Sequence, residues 1–498
     1  MDISVKSLKQ WKAGPELERV VILVSVNNSS PAHIRKQVKI LGEETARRLE
    51  GALLRLPEAP KFNSEIFIGS VESGSPDLHL FVLPEDTSAF SLLTFSRGVV
   101  KSSLLHYVKS YGVIVLDPKV EVGITDAITS AAAARVFAMP EYGRRLAKRK
   151  PFQLKTMRFF VSKPQEKLAQ AAWLMCEGTN LVRSLGMLPP NELNPVTYGD
   201  RIRKLAKENK FQVKFYSNLE LKKMGAGAFT AVDRGNPQSK GGIYELTYAP
   251  SKAKNKQWVT FVGKGLCFDT GGYDIKTQGY MVTMKGDMQG SALALANLIT
   301  AAKLKLPLKM KAYLAVTENL ISPVAYRPDE VVTALNGLTI EVINTDAEGR
   351  MVLADTLALA SRGKPELIMN FATLTGMANY AIGQNYSAGF TNRERLHSKI
   401  IEAGRRSGER VWTFPLDKDY AKALESPIAD ILQCTKGRSP DHIMAAYFLN
   451  LFVEKEIDWI HIDMSAADKE GGLAHVDTVF TGFGVRWSMQ FLKDRYKV

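Results

Sequence analysis

The sequence predicts an α/β protein: a smaller N-terminal α/β domain, then a larger α/β domain with a central mixed, largely parallel sheet. Short apolar runs of strand length alternate with longer segments of helical periodicity along the whole chain, a pattern typical of α/β layers with parallel pairing. The chain has 498 residues, more than one ordinary domain contains. We therefore expect two domains, 1–165 and 166–498.

The predicted elements follow in chain order. In the N-terminal region, strands are predicted over 18–26, 65–71, 78–84 and 111–118, and helices over 32–53, 91–108 and 124–139. A long helix opens at Pro164, since proline is favoured in the first turn of a helix, and it bridges the two domains. Beyond it, strands are predicted over 211–216, 242–249, 258–265, 309–318 and 366–376, and helices over 291–304 and 351–360. Polar residues are concentrated where these strands end. The carboxyl ends of the strands are the usual ligand site of open α/β sheets.

Cysteine usage and hydropathy indicate the compartment. The three cysteines, Cys176, Cys267 and Cys434, are far apart and form no CxxC pair, which favours reduced thiols in a cytosolic protein. The N-terminal segment lacks the apolar core of a signal peptide. No uninterrupted apolar run reaches the roughly 18 residues of a membrane span. We expect a cytoplasmic protein with no membrane partner.

The formal net charge of +15 is concentrated in part at the end of the N-terminal domain. The stretch 144–163, "RRLAKRKPFQLKTMRFFVSK", contains eight basic residues and no acidic one. One interpretation is a solvated linker and helix face. The alternative is a strip that contacts nucleic-acid phosphates, which would give the protein an additional DNA-binding or architectural role. Phe159 and Phe160 are adjacent in a predicted strand, so at least one of them points into a core, and base-specific recognition is not supported.

The stretch 343–350, "INTDAEGR", places acidic and basic residues at every second position. If the chain stays extended after Ile343, then Asp346, Glu348 and Arg350 project from the same face. Two carboxylates this close repel each other unless a cation lies between them. Arg350 supplies one such cation, so structural bracing and metal binding are both consistent with this stretch alone.

A second polar cluster follows the predicted strand 258–265. Lys264 stands at its end, Asp269 and Lys276 follow, and Asp287 precedes the next helix. A phosphate-binding loop is excluded because Lys264 does not lie in a GxxxxGK[ST] motif. Oxygen-rich clusters suit divalent ions such as Mg, Mn or Zn, and four carboxylates suit a two-metal site with shared ligands. The seven histidines are scattered, and none of them, His461 included, is expected to be a ligand.

The combined pattern resembles the leucyl aminopeptidase family of cytosolic two-metal enzymes. The resemblance covers most of 165–498, and the order and spacing of seven charged residues match together. The segments that carry it are "VGKG…FDTGG…K…MVTMKGDM" and "NTDAEGR", with "PPNELNPVTYGDRIRKLA" (189–206), "MGAGAFTAVDRGN" (224–236), "FATLTGM" (371–377) and "TGFGVRWSMQFL" (481–492).

The resemblance implies a role for each matching residue. Lys264, Asp269, Asp287 and Glu348 would bind the tighter of two divalent metal ions, Mn or Zn. A second, more exchangeable ion would use Asp269, Asp346 and Glu348, with the Asp346 backbone carbonyl. Lys276 and Arg350 match the catalytic pair, and in the family this arginine holds a bicarbonate that acts as general base.

The resemblance also implies a substrate and an assembly. Substrates would be peptides with a free N-terminus, and Met284, Thr373 and Gly376 would line the pocket for an apolar first residue such as Leu or Met. The assembly would be a homohexamer of two stacked trimers. The chain departs from the family at 432–449, where Pro440, Asp441 and His442 replace a stretch richer in glycine and alanine. The departure bears on pocket shape and on subunit packing.

Overall fold

The computed structural model describes residues 1–12, 15–25, 38–53, 63, 65–70, 75–144, 150–236, 240–437 and 439–498. The chain divides into two compact units, Met1–Glu177 with Leu473–Asp477, and Gly178–Gly472 with Thr478–Val498. The division falls within a helix whose first residue is Glu166. The assignment of separate roles to 1–165 and 166–498 stays a prediction.

The first unit contains a six-stranded sheet. Its strands are β1 (Asp2–Ser7), β2 (Arg19–Val24), β3 (Glu65–Ser70), β4 (Asp77–Val82), β5 (Ser110–Val115) and β6 (Thr156–Val161), in the order β1-β6-β5-β2-β4-β3. Every pair is parallel except β3 with β4. Strand β2, "RVVILV", is buried along its whole length, as expected for a β-branched run in the middle of a parallel sheet.

Three helices of this unit begin within three residues of the predicted starts at 91, 124 and 164. The helices of the unit are α1 (Glu43–Leu53), α2 (Ala89–Ser103), α3 (Glu121–Val136) and the first half of α4 (Glu166–Met187). Residues 32–37, the start of the helix predicted over 32–53, lie outside the described residues, as do 145–149 of the basic stretch. In the described part of that prediction the α-helix begins only at Glu43, after a 3-10 turn over Lys39–Leu41. Both Phe159 and Phe160 are buried. None of the helices in the described ranges has the length and apolar character that a membrane crossing requires.

The second unit is built on an eight-stranded mixed sheet. Its strands are β7 (Gln212–Ser217), β8 (Gly242–Tyr248), β9 (Val259–Asp269), β10 (Met310–Asn319), β13 (Leu367–Ala372), β14 (Ser387–Thr391), β15 (Val411–Thr413) and β17 (Asp458–Asp463). The order is β15-β14-β17-β13-β9-β10-β8-β7. The four central strands, β17, β13, β9 and β10, are parallel, so their carboxyl ends lie at one edge. This architecture confirms the predicted fold class.

Helices and a small sheet complete this unit. The helices are α5 (Pro195–Glu208), α6 (Asn218–Met224), α7 (Gly227–Asp233), α8 (Gln289–Lys303), α9 (Glu348–Ser361), α10 (Gly376–Ile382), α11 (His397–Ser407), α12 (Asp441–Asn450) and α13 (Val485–Tyr496). Strands β11 (Val331–Thr333), β12 (Thr339–Glu341) and β16 (Ile431–Leu432) form a three-stranded sheet. Apolar residues of α9, α12 and the central sheet share one buried core, which fixes the helices at the carboxyl edge.

Candidate metal centre

Strand β9 supplies the first two residues of the site. It continues to Asp269, four residues beyond the predicted end at 265, and carries Lys264 in its interior. The residues on either side of this lysine, 263 and 265, are both glycine because neither position has room for a side chain. A Cβ at Gly263 would lie 2.3 Å from the carbonyl oxygen of Gly290 in α8, and one at Gly265 would lie 2.6 Å from that of Ala315 in β10.

A tight turn after β9 brings Lys276 back to Asp269. Gly271 and Gly272 adopt φ values of 87° and 67°, which glycine reaches without strain. The Gly271 N–H donates to Asp269 Oδ1 over 2.9 Å, and the Lys276 N–H donates to the Thr270 carbonyl oxygen over 3.0 Å. The turn therefore places the ammonium group of Lys276 beside the carboxylate at the end of β9.

The acidic stretch "INTDAEGR" is helical from Thr345 onward, so the assumption of an extended chain is wrong. Residues Thr345–Ala347 form a 3-10 turn, and α9 begins directly at Glu348. The Asn344 side chain accepts a hydrogen bond from the Asp346 N–H over 2.7 Å, a capping interaction that favours a helix start over a strand. Asp346 and Glu348 still meet at one site because the turn and the first residue of α9 face the same edge of the sheet.

The structure brings the predicted metal ligands into one cluster with two ion-pair bridges. Lys264 Nζ lies 2.8 Å from Asp287 Oδ2 and 2.9 Å from Glu348 Oε1. Lys276 Nζ lies 2.9 Å from Asp269 Oδ2 and 2.5 Å from Asp346 Oδ1. Carboxylate oxygens of Asp269, Asp346 and Glu348 all lie within 4.8 Å of one another.

Burial and charge shift the pKa values in this cluster. Burial raises the pKa of Glu348 to about 8, with Asp269 raising it further and Lys264 opposing. Burial likewise raises the pKa of Asp287 to about 6, against the lowering effect of Lys264. For Lys264 itself, burial lowers the pKa, but Asp287 and Glu348 outweigh it and the pKa rises above its usual value. Full ionisation of the four carboxylates is therefore unfavourable unless a further cation is bound beside them.

Of the three predicted pocket residues, Thr373 contacts the cluster and Met284 is close to one of its residues in the chain, whereas no contact joins Gly376 to it. Thr373, just after β13, donates its hydroxyl to Asp287 Oδ1 over 2.7 Å, and its carbonyl oxygen accepts from Lys264 Nζ over 3.1 Å. Met284 is partly buried in a 3-10 turn that ends at Gly286, directly before Asp287. Gly376 is exposed at the start of α10, and a Cβ there would meet no atom within 4 Å.

Arg350 lies in the first turn of α9 and is buried, but it contacts an acid that motif matching alone does not assign to the site. Its Nη2 lies 2.8 Å from both carboxylate oxygens of Asp441, at the start of α12. Its Nη1 donates to the Gln433 carbonyl oxygen over 3.3 Å. Asp441 belongs to the segment that departs from the family pattern, so the departure reaches the site itself.

Other residues that the sequence did not single out hold the ligands in place. Asp274 Oδ2 accepts from the Thr345 N–H over 2.7 Å and so ties the turn after β9 to the start of α9. Asn319 at the end of β10 donates to Asp269 Oδ1 over 2.9 Å and to the Thr345 carbonyl oxygen over 3.0 Å. Gln433 accepts from the N–H groups of Ile343 and Asn344. No local motif marks these residues, because each contact joins distant parts of the chain.

His461 lies away from this chemistry, within the core of the sheet. It is fully buried in β17 and stacks on Trp459 with ring centroids 5.8 Å apart. Burial lowers its pKa to about 3, so the ring is neutral at physiological pH. Its surroundings are those of a packing residue.

The side chains fit divalent metal ions. With every group ionised, four carboxylates and two ammonium groups would leave two negative charges unbalanced in a buried cluster, and the raised pKa of Glu348 reflects that cost when no cation is bound. Glu348 Oε2 is buried and has no hydrogen-bond partner among the described residues, as expected for an oxygen that serves as a ligand. Carboxylate oxygens with one amine are a donor set that Mn and Zn accept.

Comparisons with known proteins agree with this geometry. The model of the "Cytosol aminopeptidase family, catalytic domain" matches residues 180–489. A "Probable cytosol aminopeptidase" from Aquifex aeolicus is 37% identical over 372 residues, 74% of each chain. A tomato leucine aminopeptidase mutant shares the fold, with a TM-score of 0.83 at 23% identity, over 99% of this chain and 96% of that one. The bottromycin maturation enzyme BotP in complex with Mn has a TM-score of 0.81 at 28% identity, over 96% and 99%.

The fold and the carboxylate–lysine cluster define a metal-dependent peptidase of the hydrolase class. The chain belongs to the cytosol aminopeptidase family, which confirms the resemblance seen in its motifs. It is a metal-dependent aminopeptidase.

Proposed function

We propose that this aminopeptidase releases N-terminal residues, preferably apolar ones such as Leu or Met, at a centre of two divalent metal ions. The observation that carries the proposal is the pair of ion-pair bridges at the carboxyl edge of the sheet. One lysine joins Asp287 to Glu348, and the other joins Asp269 to Asp346. Four carboxylates exceed what one small cation needs, whereas two ions share bridging carboxylates.

The ligand assignment is the one that the family resemblance implies. Lys264, Asp269, Asp287 and Glu348 would hold the tighter ion, and Asp269, Asp346 and Glu348, with the Asp346 carbonyl, the second. Lys264 ligates only as a neutral amine, so binding releases its proton and the affinity depends on pH. Mn and Zn are the ions that suit this donor set best, and the solved BotP complex contains Mn.

Lys276 and the carboxylates have separate roles in the proposed hydrolysis. Bound divalent ions supply the Lewis acidity that makes water a nucleophile near neutral pH. The surrounding carboxylates raise the pKa of Lys276 against the lowering effect of its burial, so this side chain stays protonated. Its ammonium group can then stabilise the oxyanion that forms on the scissile carbonyl. The carboxylate-rich wall also favours a free α-amine, which an internal peptide bond lacks.

Substrate preference rests on the surroundings of Asp287. Met284 precedes it by one 3-10 turn and Thr373 donates to it, which supports the assignment of both residues to the pocket for the first side chain of a peptide. A side chain at Gly376 would meet no atom within 4 Å, so this position offers no steric barrier to a substrate. A methionine wall makes adaptable apolar contacts, which favours Leu or Met over charged residues.

Two further parts of the proposal concern the whole molecule. We expect a cytoplasmic homohexamer, in line with the family to which the chain belongs. Mass photometry of the purified protein tests the assembly: a main species of six chains is the expected result, and a monomer would contradict it.

Hydrolysis of Leu-p-nitroanilide by the purified protein, with Mn or Zn added, tests the activity. We expect metal-dependent release of nitroaniline that is lost with Asp346→Ala and with the N-acetylated substrate. Asp419→Ala, at an exposed position, is the control for removing an acidic side chain and should keep full activity. If wild-type protein released no nitroaniline from any N-terminal residue with any of these ions, the proposed reaction would be wrong.

DNA binding is the second candidate, and the basic stretch 144–163 is the observation that favours it. In the described part, Arg158 forms an ion pair with Glu16, which reduces the charge that phosphates would meet. Affinity for a DNA duplex measured at several salt concentrations decides the matter. A steep fall of log affinity with log salt would support several phosphate contacts, and binding no tighter than that of an unrelated basic protein would exclude the role.

A further inference from the structure

The arginine of the proposed catalytic pair is already bound to an acid of its own chain. Arg350 is 3% exposed, and its Nη2 lies 2.8 Å from both oxygens of the Asp441 carboxylate. A hydrogen bond from a buried guanidinium to a carboxylate is among the stronger polar contacts in proteins. The Asp441 side chain is 36% exposed, so it lies between the buried arginine and solvent.

The backbone around Asp441 also favours a negative charge there. Asp441 is the first residue of α12, a helix of ten residues, and the N-terminus of a helix stabilises carboxylates in its first turn. The Ile443 N–H donates to the Pro440 carbonyl oxygen over 2.8 Å, which fixes the turn that presents Asp441. The carboxylate is therefore held by the fold on one side and by Arg350 on the other.

A separate bicarbonate does not fit this arrangement. Bound at Nη2, it would compete with Asp441 for the hydrogens that donate there. Bound at Nε, which is buried without a hydrogen-bond partner among the described residues, it would place a second anion next to the Asp441 carboxylate. Two like charges a few ångströms apart in a partly buried site repel each other by an amount comparable to what one charge-assisted hydrogen bond contributes. The guanidinium therefore has one anion partner, and in this structure that partner is part of the chain.

We infer that Asp441 takes the place of exogenous bicarbonate at Arg350, so that the anion that accepts the proton of the attacking water is built into the chain. This inference rests on the proposed function. As the water oxygen bonds to the scissile carbonyl carbon, one water O–H bond breaks and the proton passes to a carboxylate oxygen of Asp441. The same proton then passes to the leaving nitrogen as the C–N bond breaks, and the carboxylate is restored.

The test compares wild type, Asp441→Gly and Asp441→Asn in CO2-free buffer and with added bicarbonate, at constant ionic strength and saturating Mn. We expect wild-type activity to be independent of bicarbonate. Asp441→Gly should lose about 10²-fold or more in kcat, the usual contribution of a positioned proton acceptor, and bicarbonate should restore a large part of it. Asp441→Asn keeps the side-chain volume, so it should lose similar activity with little rescue. Asp419→Asn should behave like wild type.

A second readout does not need the reaction. The thermal unfolding midpoint of each protein is measured with bicarbonate and with the same concentration of chloride. Bicarbonate should raise the midpoint of Asp441→Gly, leave wild type unchanged, and have no effect on the double variant Asp441→Gly/Arg350→Met. If wild type showed no aminopeptidase activity, the proposed function would fail while these midpoints still tested the occupancy of Arg350.

Two outcomes overturn the inference. Stimulation of wild type by bicarbonate, with a matching rise in its unfolding midpoint, would show that the free anion displaces Asp441. Full activity of a folded Asp441→Gly in CO2-free buffer would show that no anion at Arg350 is required. Retained activity of Asp441→Asn would lead to the same conclusion if the glycine variant did not fold.

Discussion

Gly349, between Glu348 and Arg350, tests whether Lys264 is a metal ligand without removing any candidate ligand. A Cβ added there would lie 2.6 Å from Lys264 Cε, 2.7 Å from its Nζ and 3.0 Å from Leu374 Cδ1. Ordinary carbon contacts are about 3.5–4.0 Å, so the lysine end must withdraw by about 1 Å. The substitution Gly349→Ala therefore acts on the ligand geometry and leaves the ligand chemistry intact.

The size of the effect follows from the present contacts of Lys264. Its Nζ lies 2.8, 2.9 and 3.1 Å from oxygens of Asp287, Glu348 and Thr373. A shift of about 1 Å takes these distances beyond hydrogen-bonding range, and metal–ligand distances tolerate only about 0.2 Å. We expect the Mn affinity to fall at least about 10–100-fold, the usual cost of losing one supporting partner of a metal site. Stability should change little, because alanine favours a helix more than glycine by about 1 kcal/mol.

Calorimetric titration of the purified, chelator-treated protein with Mn measures this affinity directly. Gly98→Ala, at an exposed glycine in α2 with no atom within 4 Å of the added Cβ, is the matched control and should bind Mn like wild type. Lys264→Met removes the amine and should weaken binding at least as much as Gly349→Ala. Normal affinity in both site variants would remove Lys264 from the ligand set. Normal affinity in Gly349→Ala alone would show that α9 moves instead of the lysine.

Three further predictions use other parts of the second unit. Gly290→Ala would put a Cβ 2.3 Å from the backbone oxygen of Phe371, so it should destabilise the protein by about 1–3 kcal/mol or more, seen as a lower urea midpoint; an unchanged midpoint would contradict the close packing. Burial raises the pKa of Glu409 to about 7, so the folded state retains a proton that the unfolded state releases, and stability falls as pH rises from about 4.5 to 7. Glu409→Gln should therefore gain stability relative to wild type by up to about 3 kcal/mol between pH 5 and pH 8, and a constant difference in unfolding midpoints would refute the shift. Asp274→Ala should remove the hydrogen bond to the Thr345 N–H and lower the Mn affinity about 10–100-fold with the fold intact. Asp274→Asn should restore part of the affinity. Equal Mn affinity in wild type and both variants would exclude a positioning role for Asp274.

The sequence predicted about half of the strands and helices, and it predicted them where buried apolar strands of the two large sheets alternate with long helices. It placed the end of β9 too early, at 265, since Gly263 and Gly265 suggest a turn when they are taken alone. In the structure these glycines are needed inside the strand, because α8 and β10 pass too close for side chains. A glycine required by a neighbouring element and one required by a turn look the same in a single sequence.

The candidate ligands could be predicted because their types and order form a motif, but their conformation could not be derived from spacing. Alternation of charges in "INTDAEGR" favoured an extended chain, whereas the capping contact of Asn344 and the burial of α9 produce a helix start. Gln433 accepts from the backbone of this segment from about ninety positions away. Such a contact depends on the path of the chain through β16, which local patterns do not contain.

Asp441 shows how a departure from a family pattern acquires a chemical meaning only in three dimensions. In the sequence it is an unexpected acid near a helix start, ninety-one positions from Arg350. The shared core of α9 and α12 brings the two residues together, and the buried guanidinium then requires an anion. Since the ion pairs of Lys264 and Lys276 involve none of the residues of α12, the anion at Arg350 can change from a free molecule to a side chain without altering the carboxylate cluster. The metal centre and the anion partner of its arginine are therefore separable features of this fold.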